Sequence, residues 1–301
     1  MKIALTGATG FIGRYIARQL VNQGHELSCW HRAGSDLSGF ESIDSSIHWV
    51  QGGLLEDQAA DELIAGCDAV VHAAFWRPGP GFRGAEGDVV EFAKVNILGT
   101  LDLIEAGRRA DVKRFVYLST CAVHEHILKD RPLDEAHPLW PLTHYGAHKA
   151  AIEKFVHSYG LGLGFPICAL RPTGVYGVSH PIENTKWFGL VEDIVEGRDV
   201  QVAGGGKEVH ASDVAKAVAL LIDHEGTNGQ SYACYERYIS KREVADLVAE
   251  LSGSSSRIVG EGKQPANQIE TEKIRQLGME FNTGLLRSTL VEMVDRIRHH
   301  R

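Results

Sequence analysis

Short apolar runs alternate with longer segments of helical periodicity over the first half of the chain. Such alternation is typical of βαβ units around a parallel sheet. We therefore predict an α/β fold with a Rossmann-type, doubly wound parallel sheet. The predicted strands are Lys2–Thr6, Glu26–His31, Ile47–Gln51, Ala69–Ala73, Arg114–Ser119 and Ile167–Arg171. The predicted helices between them are Ile12–Asn22, Asp57–Ala65, Val89–Arg109 and Tyr145–Ser158.

The pattern becomes irregular after Arg171, where glycines and prolines separate shorter helical segments such as Trp187–Glu196 and Ser212–Asp223. Irregular spacing of this kind indicates loops rather than further βαβ units. We expect a Rossmann domain over residues 1–171 and a smaller C-terminal α/β lobe over 172–301. The lobe is expected mainly to bind substrate, and the chain can cross back to the sheet within it.

Composition excludes several classes of protein. The chain has 301 residues, of which 44% are hydrophobic and 23% charged, and its formal net charge is −8. An acidic chain gives no electrostatic reason to bind nucleic acid. Its apolar runs fall short of the roughly 20 residues of a membrane span, and its five cysteines have no metal-ligand spacing. We expect a cytoplasmic enzyme with a small-molecule substrate, no membrane and no nucleic-acid partner.

The first predicted strand runs into a glycine-punctuated turn and then a helix. In Gly7-Ala-Thr-Gly10-Phe-Ile-Gly13, the first glycine permits a tight turn and the second allows close approach of a pyrophosphate. Gly13 allows the helix to pack closely against the sheet. The amides at the helix N-terminus then favour an anion. The sequence therefore predicts a dinucleotide site.

These residues, together with three later stretches, resemble the extended short-chain dehydrogenase/reductase family, which includes NAD-dependent epimerases, dehydratases and ketone reductases. The similar stretches are 68–74 (DAVVHAA), 95–100 (VNILGT) and 209–215 (VHASDVA). The resemblance implies cofactor contacts from Gly7, Thr9, Gly10, Phe11, Ile12, Leu54, Ala73, Ala74, Tyr145, Lys149, Pro172 and Val175. The family's adenine-binding Asp is replaced here by Gly53.

The end of the second strand bears on the choice between NAD and NADP. An acidic residue there would bind the ribose 2′-hydroxyl and repel a 2′-phosphate, but this chain has His31 followed by Arg32. The planar guanidinium of Arg32 suits a phosphate, so we expect NADP to be preferred and NAD to be the alternative. Arg32 could also be an ordinary solvated arginine.

Tyr145 and Lys149 are four residues apart in a predicted helix, which places both side chains on one face. A phenol, with a pKa of about 10, is a poor base at neutral pH unless a nearby cation stabilises its phenolate. Lys149 supplies that charge. The string from Pro141 to Lys149 is similar to the family's Pro-x-Ser-x-Tyr-Gly-x-Ser-Lys, and His148 departs from it.

By the same resemblance, Lys149 also binds the nicotinamide ribose, and Tyr145 exchanges a proton with the substrate. Thr120 is implied as the hydroxyl that positions the substrate oxygen, with Ser119 as the alternative. Asn96 is implied to hold the active-site helix and a proton-relay water. The helices Val89–Arg109 and Tyr145–Ser158 are implied to pair in a homodimer.

Four further residues lie in segments that the family uses around its substrate pocket, although they could equally be core or interface residues. They are Trp76, Trp140, Trp187 and His210. Several nearby histidines, including His124 and His126, suggest a metal. However, no carboxylate or cysteine completes a metal-ligand set with them, and hydride transfer to a nicotinamide does not require a metal. We therefore expect no metal.

The two residues after Thr120 narrow the choice of reaction. Sugar dehydratases of the family carry an Asp-Glu pair there, whereas this chain has Cys121 and Ala122, which argues against dehydration. Lys207 stands where many nucleotide-sugar enzymes have an arginine. We expect an oxidoreductase acting on a small hydroxyl or ketone compound. The alternatives are a sugar or nucleotide-sugar epimerase with a retained cofactor, and a non-catalytic dinucleotide-sensing protein.

Overall fold

The computed structural model describes residues 1–79 and 86–299. The chain divides into two compact units, each built from three segments. Unit 1 comprises Met1–Pro172, Val214–Cys234 and Ile269–Met279. Unit 2 comprises Thr173–Asp213, Tyr235–Gln268 and the chain from Glu280 onward. The boundary expected near residue 171 therefore ends the first segment only, because two later segments return to unit 1.

Strands and helices are interspersed along the described part of the chain. The strands are β1 (Lys2–Thr6), β2 (Glu26–His31), β3 (Ile47–Gln51), β4 (Ala69–His72), β5 (Arg114–Leu118), β6 (Ile167–Pro172), β7 (Gly174–Tyr176), β8 (Val200–Gln201), β9 (Gly205–His210), β10 (Ser231–Cys234), β11 (Arg237–Ser240) and β12 (Ile258–Val259). The helices are α1 (Phe11–Asn22), α2 (Ala59–Ile64), α3 (Val89–Ala93), α4 (Gly99–Arg109), α5 (His144–His157), α6 (Phe188–Val195), α7 (Ala211–Asp223), α8 (Lys241–Ser252), α9 (Glu272–Arg275) and α10 (Leu285–His299).

Unit 1 contains a parallel sheet in the order β3-β2-β1-β4-β5-β6-β10. Its central strands are buried on both faces, as the residues of β4 and β5 show. Strands of this kind read as continuous apolar runs, which is why the sequence predicts them well. From β1 the sheet continues outward through β2 and β3, and the chain then crosses to β4, on the other side of β1, and continues outward in the opposite direction. Ligands are expected at the carboxyl ends of β1 and β4, where this direction reverses. The predicted doubly wound α/β fold is confirmed.

The helix predicted over Val89–Arg109 is interrupted. It consists of α3, a π-helical turn at Lys94–Leu98 and α4. The Asn96 side chain donates through Nδ2 to the carbonyl of Phe92, four residues earlier, at 3.0 Å. A side chain that takes an i−4 carbonyl competes with the backbone ladder, which explains the wider turn.

Unit 2 contains a three-stranded sheet in the order β11-β9-β7, a β8–β12 pair, and helices α6, α8 and α10. Its core is formed by apolar side chains from these helices, including Val191, Ile194, Val248 and Leu290. A small α/β lobe was expected in this part of the chain. None of the helices in the described ranges is long and apolar enough to cross a bilayer.

Candidate active site

The turn after β1 packs tightly against its neighbours. Gly7 has a φ of +73°, and a Cβ on it would lie 2.8 Å from the backbone of Ala73. A Cβ on Gly13 would lie 2.0 Å from the Gly7 carbonyl oxygen. Within the described residues, no side chain caps α1 and no carboxylate lies in its first turn. The helix amides are therefore open to an anion, and the turn fits the pyrophosphate of a dinucleotide.

A buried hydrogen-bond chain supports this turn from below. Thr6 Oγ1 accepts from the amides of Ala73 and Ala74 at 3.1 and 3.0 Å, so its proton goes to Nδ1 of His72 at 2.7 Å. Nε2 of His72 then donates to Thr100 Oγ1 at 2.9 Å. Burial lowers the pKa of His72 to about 3, so the ring is neutral. Thr100 Oγ1 in turn donates to the carbonyl of Asn96. This series of hydrogen bonds therefore links the turn after β1 to the segment that contains Asn96.

The other positions implied to contact the cofactor belong to both units. Arg32 is exposed in the turn after β2, and its amide donates to Ser35 Oγ at 3.0 Å. Leu54 is partly buried against the core of unit 1. Pro172 belongs to unit 1 and Val175 to unit 2. Five further positions are partly buried: Thr9 in the turn before α1, Phe11 and Ile12 in its first turn, and Ala73 and Ala74 after β4.

Helix α5 carries the predicted catalytic pair. The Thr143 side chain caps the helix by accepting from the Gly146 amide at 3.1 Å. Lys149 is buried, donates through Nζ to the Leu118 carbonyl at 2.7 Å, and lies 4.6 Å from the Tyr117 ring centroid. Burial lowers the pKa of Lys149 to about 7, while Glu153 opposes that shift. An ammonium so poorly solvated acts strongly on any group that develops negative charge nearby.

An aromatic cluster surrounds Tyr145. Its ring packs edge-on against Phe75 at 5.2 Å and lies 5.6 Å from His148. His148 is stacked on Phe75 and packed against Phe92. Burial lowers the pKa of His148 to about 2, and in the described part of the chain its Nδ1 has no hydrogen-bond partner. His148, which departs from the family pattern, is therefore a neutral packing partner of Tyr145.

The two candidate hydroxyls after β5 differ in their bonds. Ser119 is buried and donates to Oε1 of Glu153 through a short hydrogen bond. Thr120 Oγ1 accepts from the Ala122 amide at 3.1 Å and begins a 3₁₀ turn over Cys121–His124. The Ser119 proton is thus committed, whereas this bond leaves the Thr120 proton for another acceptor.

Asn96 is held by its own side chain. Oδ1 accepts from the Trp76 amide at 2.9 Å, and Nδ2 donates to the carbonyls of Trp76 and Phe92 at 2.9 and 3.0 Å. These bonds fix the segment after β4 against the π-helical turn. A relay water at Asn96 stays a prediction, and the side-chain atoms are already engaged.

In the segment whose histidines suggested a metal, both ring nitrogens of His124 and of His137 are engaged in hydrogen bonds. Nε2 of His137 accepts from the Leu128 amide and Nε2 of His124 accepts from Arg171, so both Nδ1 atoms donate to the Pro138 carbonyl. Their lone pairs are therefore unavailable to a metal. Among residues 1–79 and 86–299, no group of three or more histidines, cysteines or acidic residues could hold a metal ion.

The expected substrate residues are divided between the units. Trp76 is tied to Asn96, and Trp140 is exposed with its ring 5.5 Å from His126, both in unit 1. Trp187 and His210 belong to unit 2 and both pack on Tyr176, at 5.7 and 5.0 Å. Trp187 and His210 therefore form one cluster around Tyr176, whereas Trp76 and Trp140 contact different residues.

Sequence reasoning missed a buried ion pair beneath the catalytic helix. Glu153 is 0% exposed and Arg171 is 1% exposed. Arg171 Nε lies 3.0 and 2.9 Å from the two carboxylate oxygens. The available signal was a carboxylate four residues after Lys149, among apolar residues of α5. Its partner is on a strand, so spacing alone could not reveal it.

Comparison with known proteins supplies the family. The sequence model of the NAD dependent epimerase/dehydratase family matches residues 3–234 of this chain. The chain belongs to this family. The resemblance seen in the sequence is thereby confirmed, and the protein is an enzyme of the epimerase, dehydratase and reductase type.

Relatives in the family catalyse different reactions. A ketoreductase of Stigmatella aurantiaca that acts on a farnesylated dihydroquinoline oxide is 28% identical, over 86% of this chain and 75% of that protein. A dTDP-glucose 4,6-dehydratase of Streptomyces niveus is 26% identical, over 100% of this chain and 94% of that protein. The structure of a Bacillus cereus UDP-glucuronic acid 4-epimerase with NAD matches with a TM-score of 0.82, 21% identity and complete coverage of both chains. This last likeness concerns the fold.

Proposed function

We propose that this enzyme transfers hydride between a nicotinamide dinucleotide and a small hydroxyl or ketone substrate. The observation that carries the proposal is the buried Lys149 ammonium, one helical turn after Tyr145 on α5. When bound, the nicotinamide accepts or delivers the hydride. Tyr145 exchanges a proton with the substrate oxygen, Lys149 favours the phenolate, and the Thr120 hydroxyl orients that oxygen.

Reduction or oxidation is favoured over dehydration by the residues after Thr120. Elimination needs an acid and a base beside the reacting carbons. Cys121 and Ala122 supply neither, because burial raises the pKa of the Cys121 thiol to about 12. The nearest carboxylate along the chain, Glu125, already accepts from the Leu142 amide and the Thr143 hydroxyl. The ketoreductase relative supports the same choice.

Epimerisation of a sugar or nucleotide sugar is the second candidate, since it uses the same Tyr145, Lys149 and Thr120. The purified enzyme would be incubated with NADPH, NADP, NADH or NAD and a panel of carbonyls, alcohols and sugar nucleotides. Nicotinamide absorbance and product identity would be followed together. A net absorbance change supports the oxidoreductase, and isomerised sugar without net change supports the epimerase. Dinucleotide binding without any turnover would instead support a sensing protein.

We further propose that NADP binds more tightly than NAD, because Arg32 is exposed in the turn after β2 and no carboxylate stands at residue 31. Titration of both dinucleotides should give a lower Kd for NADP. Arg32→Ala should raise the Kd for NADP by about tenfold, which is the equivalent of one charge-assisted hydrogen bond. The Kd for NAD should stay nearly unchanged. Arg109→Ala, at the end of α4, is the control. Equal affinities of the wild type for the two dinucleotides would exclude the preference.

A further inference from the structure

The ion pair between Glu153 and Arg171 is too costly to be explained by stability alone. Both side chains are withdrawn from water, and well-packed apolar residues of similar volume often serve as well or better in such a place. Arg171 is held on its other side by the Glu135 carbonyl at 3.2 Å and by Nε2 of His124 at 3.1 Å. Its guanidinium is therefore fixed, and it fixes the carboxylate in turn.

Helix α5 touches the end of β5 at two consecutive residues. Lys149 Nζ donates to the carbonyl of Leu118, the last residue of β5, at 2.7 Å. Glu153, one turn further along α5, accepts from the hydroxyl of Ser119, the next residue of the chain. The residue after that is Thr120. The two contacts are one helical turn apart on α5, and they fall on the last residue of β5 and the residue that follows it. Together they fix the position of α5 relative to the end of β5.

We propose that Glu153, held by Arg171, is a positioning residue that places Thr120 in register with Tyr145 and Lys149. A carboxylate can only accept, so the Ser119 hydroxyl must donate to it, and a charged acceptor makes that bond strong. Ser119 is thereby fixed immediately before Thr120. For its effect on rate, the inference depends on the proposed hydride transfer.

Two serines bound to the same carboxylate provide a matched test. Ser119 donates to Oε1, and Ser231 donates to Oε2 at 3.0 Å from β10, but only Ser119 adjoins Thr120. Ser119→Ala should slow single-turnover hydride transfer by about tenfold or more while the dinucleotide Kd changes by less than about twofold. Ser231→Ala should slow transfer by less than about twofold, and Ser119→Thr, which keeps the hydroxyl, should restore most of the rate. Equal slowing by the two alanine variants means that the carboxylate has only a structural role.

A double-mutant cycle separates positioning from direct catalysis by Ser119. Glu153→Leu combined with Arg171→Met removes both charges and should fold with a Tm near that of the wild type, but transfer hydride slowly. Adding Ser119→Ala to this background should slow transfer by less than about twofold, because the bond is already gone. A further loss of tenfold or more would show that Ser119 itself touches substrate, and would overturn the proposal.

Hydrogen exchange gives a readout that needs no substrate. In Ser119→Ala, amides of residues 119–124 should exchange at least about threefold faster than in the wild type, since the segment loses its tie to α5. In Ser231→Ala, the same amides should exchange at the wild-type rate. Unchanged exchange in both variants overturns the positioning role even if no compound is turned over. Faster exchange in Ser119→Ala without any wild-type turnover sustains the tie to α5 and rejects the proposed hydride transfer.

Discussion

The Tyr145 hydroxyl is the single group on which the proposed chemistry depends most. Tyr145→Phe keeps the ring and its packing on Phe75 and removes only the hydroxyl. We expect dinucleotide affinity within about twofold of the wild type and hydride transfer slower by roughly two to four orders of magnitude. Single-turnover absorbance at saturating dinucleotide would measure the transfer rate, and titration would measure the affinity. Transfer at the wild-type rate would mean that another group moves the proton.

Lys149 should also leave a signature in stability. Its pKa is lowered to about 7 by burial, so below pH 7 the folded protein contains a poorly solvated charge that the unfolded chain solvates freely. Folded Lys149 loses its proton above pH 7 while the unfolded residue keeps it up to its ordinary pKa of about 10.4, so stability rises with pH across that window.

Lys149→Met removes the energetic cost of burying this charge. At pH 6 we expect its free energy of unfolding to exceed that of the wild type by roughly 1 to 3 kcal/mol, after allowing for the lost bond to the Leu118 carbonyl. The difference should shrink by pH 9. Urea denaturation without dinucleotide at the two pH values tests this, with Lys113→Met, an exposed lysine, as control. A difference that stays the same at pH 6 and pH 9 would mean that Lys149 is as well solvated in the folded protein as in the unfolded chain.

Single residues were predictable from the sequence when their partners were local. Tyr145 and Lys149 share a helix face by spacing alone, whereas Glu153 meets Arg171 only when α5 packs on the sheet. The bond from Ser119 to Glu153 likewise joins two elements that are distant in sequence, so spacing could not reveal it.

At the scale of elements, α1 and the turn before it depend on Gly13. A Cβ there would meet the Gly7 carbonyl oxygen at 2.0 Å, so the helix or the turn must move. Gly13→Ala should lower the free energy of unfolding by roughly 1 to 3 kcal/mol and weaken dinucleotide binding by about tenfold or more. Urea denaturation and fluorescence titration would measure these effects.

Gly189→Ala on α6 is the matched control for this variant. Among the described residues outside its own helix, a Cβ at Gly189 would meet no heavy atom within 4 Å. Because alanine also favours a helix, stability should be unchanged or higher by up to about 1 kcal/mol. If Gly189→Ala lost as much stability and dinucleotide affinity as Gly13→Ala, crowding at the Gly7 turn would not be the cause of the Gly13→Ala effects.

Six of the seven strands of the large sheet were predicted almost to the residue, because they are short, largely apolar and bounded by polar turns. The seventh, β10, was not predicted, because it lies in the irregular part of the chain, away from the βαβ units of the first half. The helix over 89–109 was wrong in its middle, where the Asn96 side chain bonds to the Phe92 carbonyl. Hydrophobic periodicity does not register a side chain that competes for the backbone, so the π-helical turn could not be predicted.

For the whole molecule we expect a homodimer formed through the segment Val89–Arg109, which contains α3, the π-helical turn and α4, and through α5. The π-helical turn packs against α5. Leu98 is 52% exposed on the turn and Phe155 is 39% exposed on α5. Light scattering should give about twice the chain mass of 32.9 kDa. Leu98→Glu with Phe155→Glu should give the monomer mass, and Val259→Glu, an equally exposed apolar site on β12, should not. A wild-type monomer at micromolar concentration would contradict the expectation.

The return of the chain to unit 1 affects how the sheet is completed during synthesis. β6 ends at Pro172, but its outer neighbour, β10, begins only at Ser231. At translation rates of roughly 5 to 20 residues per second, the nascent chain exposes the unpaired edge of β6 for several seconds. An open strand edge of buried, apolar composition is a template for aggregation. We therefore expect a nascent chain that ends before Ser231 to aggregate more readily than one that extends beyond Cys234.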